Sequence, residues 1–148
     1  MDIHLKTLSE LSRGLESGEF TSLEITELFL NRIAARDKEL NSFITVTESQ
    51  ALIAASEADK ARSSGKVGAL NGLPIAHKDI FCTQGIKTTC GSKMLNNFIS
   101  PYDATIVKKI SNAGAVNLGK CNMDEFAMGS SNETSYFGPV QNTWNLEC

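Results

Sequence analysis

Three ionisable residues in succession, His77-Lys78-Asp79, interrupt an otherwise apolar run between Leu73 and Phe81. In an extended strand successive side chains point to opposite faces, so His77 and Asp79 share one side and Lys78 takes the other. The three cannot form one relay. A Lys78 turned into an apolar interior would find its ammonium form disfavoured, and a lysine tuned down toward about pH 7–8 serves as a general base. On position alone, a solvated lysine at a strand end is the alternative. The second stretch with chemical content runs from Gly119-Lys120 to Gly138-Pro139. Its glycines can bring backbone N–H groups close to an anionic or carbonyl oxygen, but the GxxxxGK[ST] order of a phosphate loop is absent. Ser130, Ser131 and Ser135 are conceivable nucleophiles, yet none sits in GxSxG, and the two histidines are His4 and His77. A Ser-His-Asp hydrolase within these residues is therefore not expected. Asn122 or Asp124 is placed to cap a helical turn. Adjacent side chains on a helix diverge by about 100°, so Asp124 and Glu125 read as capping charges rather than an acid/base couple.

The elements that must hold these residues follow from the spacing of apolar positions. Leu5, Leu8, Leu11 and Leu15 predict a short amphipathic helix, fraying at Gly14 and Gly18. Thr21 and Glu24 have the capping-box form, and Ile25, Leu28, Phe29 and Ile33 make one stripe of a second helix through Arg36. Phe43 to Thr47 reads as a short strand. Ala51, Ala54, Ala55 and Ala58 then present a small-residue helical face, ended by Ser63-Ser64-Gly65. Turn chemistry at Asn71-Gly72 leads into the strand that ends in His77-Lys78-Asp79. Asp103 is expected to cap a helix with Ile106, Val107 and Ile110 on its face, Gly114 to take the left-handed position after it, and residues 115–119 to form a buried strand. Alternating helices and strands predict an α/β fold. Residues 1–65 read as mainly helical, and 66–148 as the start of a central sheet carrying the lysine. In such sheets ligands collect outside the carboxyl ends of the strands, where the loop after the residue 115–119 strand would lie.

Composition narrows the function classes. The chain has 148 residues, 41% apolar and 21% charged, with a net charge of −3, which suits a soluble globular protein and excludes disordered and fibrous classes. No dense Lys/Arg block argues for holding nucleic-acid phosphates directly. With neither an export signal nor a run of about 18 apolar residues, the expected compartment is the cytoplasm and no membrane partner is expected. Cys82, Cys90, Cys121 and Cys148 are far apart and lack CxxC spacing, so they read as free, partly buried thiols rather than a disulfide framework or a zinc site.

Two segments together carry a more specific signal. Gly72-Leu73-Pro74-Ile75-Ala76-His77-Lys78-Asp79 resembles the lysine motif of the amidase signature family. Forty residues on, Gly119-Lys120 through Pro139, with Asn142 and Trp144 beyond, resembles the loop after that family's next central strand. Asn122 to Ser131, with Ser22-Leu23-Glu24 and Asn41-Ser42-Phe43, is similar to the glutaminase subunits of the tRNA-dependent amidotransferases within it. The resemblance implies a mostly parallel mixed sheet flanked by helices, and a Ser-cisSer-Lys triad in which Lys78 is the general base. A cis bond before a non-proline residue costs about 3 kcal/mol and persists only where its surroundings fix it. Both serines belong to a GGSSGGS-type signature expected beyond Cys148, so Ser130, Ser131 and Ser135 do not take that role; Met128, Gly129, Ser130 and Ser131 are expected to line the substrate pocket. Cys121 stands where Thr is common, and Thr143 where Pro is common.

The resemblance further implies hydrolysis of glutamine to ammonia and its passage to a B subunit that uses ATP and Mg²⁺ to amidate glutamyl-tRNA(Gln). A small C subunit would bridge the two in a heterotrimer, and no cofactor or metal would be bound by this chain. On that reading the chain is an N-terminal portion with its sheet incomplete, leaving the buried strand around Val116 as an unpaired edge. Two alternatives stand beside it: a stand-alone amidase of the same family, and a non-catalytic remnant that only binds partner subunits.

Overall fold

The computed structural model describes residues 3–65 and 67–145. Its elements alternate as expected: α1 (Leu8–Ser17), α2 (Ser22–Leu40), β1 (Phe43–Val46), α3 (Glu48–Ser63), β2 (Pro74–Lys78), α4 (Thr105–Asn112) and β3 (Val116–Cys121). No described helix is long and apolar enough to cross a membrane.

Reciprocal capping boxes open the first two helices. Glu10 accepts the Thr7 N–H at 2.7 Å and donation from the Glu10 N–H returns to Thr7 Oγ1 at 3.3 Å; Thr21 and Glu24 repeat the pattern at 2.7 and 3.1 Å. The cap at Thr7 starts α1 at Leu8, so Leu5 falls outside it, exposed in a separate 3-10 turn, Ile3–Leu5. Gly14 lies inside α1 rather than at a frayed end, and the Phe20 ring fills the space a β-carbon there would need; Gly18 is the left-handed C-cap. Asp59 of α3 accepts the N–H groups of Ser22 and Leu23 at 2.8 and 3.1 Å, placing a carboxylate at the positive end of α2. Asp37 shapes the exit of α2 by accepting from Ser42 and Phe43 N–H at 2.7 and 3.2 Å.

α4 departs from expectation at its start. Its N-cap is Ala104, and Asp103, one residue too early, instead accepts the Gln84 N–H at 2.7 Å. Gly114 does take a positive φ of 92° after the helix.

The sheet order is β1-β3-β2, with β2 parallel and β1 antiparallel to β3. The buried Val116 strand is thus the centre of the sheet rather than an unpaired edge, because β1 returns from the helical half of the chain to cover it. α2 and α3 pack on it through Leu30, Ala51, Ala55, Val116 and Leu118, where the two alanines allow close approach. A second cluster of Leu11, Leu15, Phe20, Ile25 and Leu73 joins α1 and α2 to the start of β2.

Gly119 breaks the regular ladder. Ile75 pairs with Asn117, but His77 pairs with Lys120, so β3 carries one extra residue between the two pairs. Gly119 has φ +153°, and a β-carbon there would collide with the Thr45 carbonyl oxygen of β1. Gly119→Ala is expected to lower stability by about 1–3 kcal/mol, read as a fall in the urea midpoint with faster amide exchange in β1; an unchanged midpoint would show that β1 does not need this approach.

Candidate functional site

The parallel register sets Lys78 beside Cys121, so β2 and β3 end together. The loops leaving them, residues 79–92 and 122–139, form the carboxyl edge of the sheet, the expected ligand side of such a fold. Alternation holds at the lysine motif: His77 and Asp79 are buried and Lys78 is exposed. Lys78 is therefore not turned into an apolar interior within these residues, and burial does not supply the desolvation that a neutral base needs.

The buried lysine is Lys120, which the sequence marks only as the opening of a loop. Strict alternation from Val116 and Leu118 would place it on the helix-packed face; the extra residue at Gly119 puts it opposite His77, on the face of Asp79. Its side chain has 0% exposure. Its ammonium donates to the Phe81 carbonyl and to Thr88 Oγ1, both at 2.8 Å, and faces Asp79 Oδ1 at 3.3 Å. Burial pushes the Lys120 pKa down and the Asp79 carboxylate pulls it back up. Asp79, also at 0% exposure, accepts through Oδ2 from Thr89 N–H at 2.8 Å and Thr89 Oγ1 at 2.5 Å. The signal that could have found the pair is a lysine placed directly after a buried strand and a glycine. Burial likewise lowers the His77 pKa, with the Lys120 cation acting in the same direction and Asp103 opposing it. His77 opens into a cleft of about 260 Å³ shared with Thr47, Gln84, Asp103 and Asn117, away from the exposed Lys78.

The second loop is organised from inside. Asn122 donates to Asn41 and Gly138 carbonyls at 3.0 and 2.9 Å and accepts from Met123 N–H and Ser135 Oγ at 2.8 and 2.6 Å. Ser135 is thus a buried structural hydroxyl. Asp124 stands at the N-cap of the short 3-10 turn Glu125–Ala127, but its side chain caps nothing there. It accepts instead from Asn132 N–H at 2.9 Å and from Thr134 N–H and Oγ1 at 3.1 and 2.8 Å, hydrogen bonds that hold its pKa below the ordinary aspartate value. The capping role expected of Asp124 is corrected to that of a loop anchor. Glu125 accepts from Ser92 Oγ at 2.6 Å, and the N–H groups of Phe126 and Tyr136 donate to Cys90 and Gly91 carbonyls at 2.9 and 2.8 Å. The loop after β3 is thereby stitched to the loop after β2. Met128, Gly129, Ser130 and Ser131 are exposed on its outside, Gly129 lying against the Asp124 carboxylate. Ser131 Oγ donates to Glu133 at 2.7 Å. Phe126 and Ala127 hold positive φ values of 50° and 60°, backbone strain of the kind that collects at ligand sites. Cys82, Cys90 and Cys121 are free, half-buried thiols, and burial raises the last two; Cys148 lies outside the described residues.

With this geometry in place, residues 24–148 match the family model described as Amidase. The chain belongs to the amidase family. Two relatives named as the A subunits of glutamyl-tRNA(Gln) amidotransferases, from Alcanivorax borkumensis and Chromohalobacter salexigens, are 64% and 62% identical to it over 98% and 97% of its length. The chain spans about 30% of the length of these curated relatives. Among solved amidase-family structures, the native peptide amidase from Stenotrophomonas maltophilia superposes with a TM-score of 0.87 at 32% identity, covering 96% of this chain and 31% of that one. The A subunit of the glutamyl-tRNA(Gln) amidotransferase from Thermotoga maritima gives 0.70 at 40% identity, covering 85% and 25%. These likenesses extend the fold assignment to the amidase α/β architecture.

Because the folded-state pKa of Asp124 is depressed, the stability it contributes is full above the unfolded value and is lost as the pH falls through the folded one, from about pH 4 downward. Asp124→Asn is expected to lower the protection of the Asn132 and Thr134 amides, relative to their intrinsic exchange rates, at neutral pH, and to remove the further loss of protection that the parent shows below about pH 4. Protection identical to the parent both at neutral pH and at about pH 3 would exclude the anchor.

Proposed function

We propose that this chain is the N-terminal part of the glutaminase subunit of a cytoplasmic, tRNA-dependent amidotransferase. Glutamine is hydrolysed on the complete subunit, and the ammonia passes to a B subunit that uses ATP and Mg²⁺ to convert glutamyl-tRNA(Gln) to glutaminyl-tRNA(Gln), with a small C subunit completing a heterotrimer. Lys78 is the general base of a Ser-cisSer-Lys triad whose serines come from residues after 148. The observation that carries this reading is the position of Lys78, exposed at the carboxyl end of β2 and level with the start of the Asn122–Pro139 loop. There an incoming serine can reach the amine, and the serine-bearing segment can supply the desolvation that these residues do not. In the reaction a serine hydroxyl attacks the glutamine side-chain amide, its proton passing through the bridging cis-serine to Lys78, and ammonia leaves with a returned proton; water then hydrolyses the acyl ester. Met128 to Ser131 present backbone groups and hydroxyls to the substrate. The negative balance of the chain agrees with tRNA being held by the partner.

A stand-alone amidase of the same family is the second reading, supported by the likeness to the peptide amidase. Identities of 62–64% to the amidotransferase subunits, against 32% to the peptide amidase, favour the first.

In the longer protein, Lys78→Ala is expected to lower ammonia release from glutamine by about 10³-fold or more, with subunit assembly by size exclusion unchanged; a near-parental rate would remove Lys78 from the mechanism. The 148-residue chain by itself is expected to release no ammonia from glutamine, since a base without its nucleophile forms no acyl-enzyme. Measurable turnover by that purified chain would overturn the assignment of both serines to later residues.

A further inference from the structure

We infer that the buried Lys120–Asp79 pair is the positioning device for Lys78, an inference that rests on the reading of Lys78 as the base. The ammonium of Lys78 makes no hydrogen bond or ion pair with the described residues, so its placement here is set through the backbone on either side. That backbone is a tight turn in which the Phe81 N–H donates to the Lys78 carbonyl at 3.1 Å. Lys120 grips the far end of the turn, donating to the Phe81 carbonyl at 2.8 Å. Asp79 fixes the near end with every polar group it has. Its N–H donates to Cys121 O at 3.0 Å, its C=O accepts from Cys90 N–H at 3.2 Å, Oδ2 takes both groups of Thr89, and Oδ1 faces Lys120 alone. The same Cys90 passes the constraint on, accepting the Phe126 N–H at 2.9 Å. The distance between Lys78 and the Met128–Ser131 segment is therefore set through this pair. A displacement of about 1 Å at a reacting group costs on the order of 10²-fold in rate, which is the scale at which such fixing acts.

The test uses the longer chain assembled with its partner subunits and three variants: Lys120→Met, Asp79→Asn and both together. Each single change leaves a dry, uncompensated charge. It is expected to lower the melting temperature and to reduce kcat for glutamine hydrolysis by about 10–100-fold per folded molecule, with KM within about twofold. The double variant removes both charges, so its melting temperature recovers toward the parent, but kcat does not, because Phe81 O and Thr88 Oγ1 still lack the ammonium. Recovery of kcat in step with melting temperature would reduce the pair to a structural element and overturn the inference. So would a folded single variant with kcat within twofold of the parent. If the single variants fail to fold, Thr88→Val removes one acceptor and keeps both charges; a several-fold loss of kcat at parental melting temperature supports positioning, and unchanged kcat refutes it. Lys78→Ala run alongside separates the two readings. Retained ammonia release there defeats the general-base assignment, whereas an inactive Lys78→Ala beside a fully active Lys120→Met defeats positioning alone.

Discussion

A lysine ammonium with no water contact must take its acceptors from protein, and in this fold three chain segments supply them. Asp79 comes from the end of β2, the Phe81 carbonyl from the following turn, and Thr88 from the loop beyond it. Desolvating each ion costs several kcal/mol, a large share of the 5–15 kcal/mol that holds a typical domain folded. The chain at the carboxyl edge of the sheet is therefore arranged around this charge. Remove one acceptor segment and the others lose the reason for their positions.

Much of the scaffold was legible because it rests on local rules. The Thr21–Glu24 capping box, the alanine face of α3 and the alternation of His77, Lys78 and Asp79 need only a few neighbouring residues to be recognised. What escaped depends on partners distant in sequence. Lys120 meets Asp79 because an extra residue at Gly119 turns it to the face of His77, and that displacement is visible only when β2 is laid beside β3. Asp103 and Asp124 have the composition of helix caps, yet both carboxylates are taken by N–H groups of other segments, Gln84 in one case and Asn132 with Thr134 in the other. The base role proposed for Lys78 rests on a motif, since an exposed lysine carries no intrinsic sign of a role.

The two buried carboxylates of the edge meet the same requirement by different means. Asp79 is balanced partly by a full positive charge, whereas Asp124 is balanced by backbone dipoles and a hydroxyl. A cation holds through a point of attraction and tolerates little loss of its partners. A ring of N–H donors instead dictates the path of the chain that supplies them, here a loop that carries Met128 to Ser131 exposed on its outside.

The Asn41 side chain reaches 96 to 98 positions along the chain to the carbonyls of Phe137, Gly138 and Pro139, and the Gln141 N–H returns to the Leu40 carbonyl at 2.9 Å. Closing contacts of such sequence separation costs chain entropy that grows only slowly with loop length. The C-terminal end of α2 ties the ligand-side loop to the helical half of the chain, so that a change at Asn41 is felt 96 to 98 positions away.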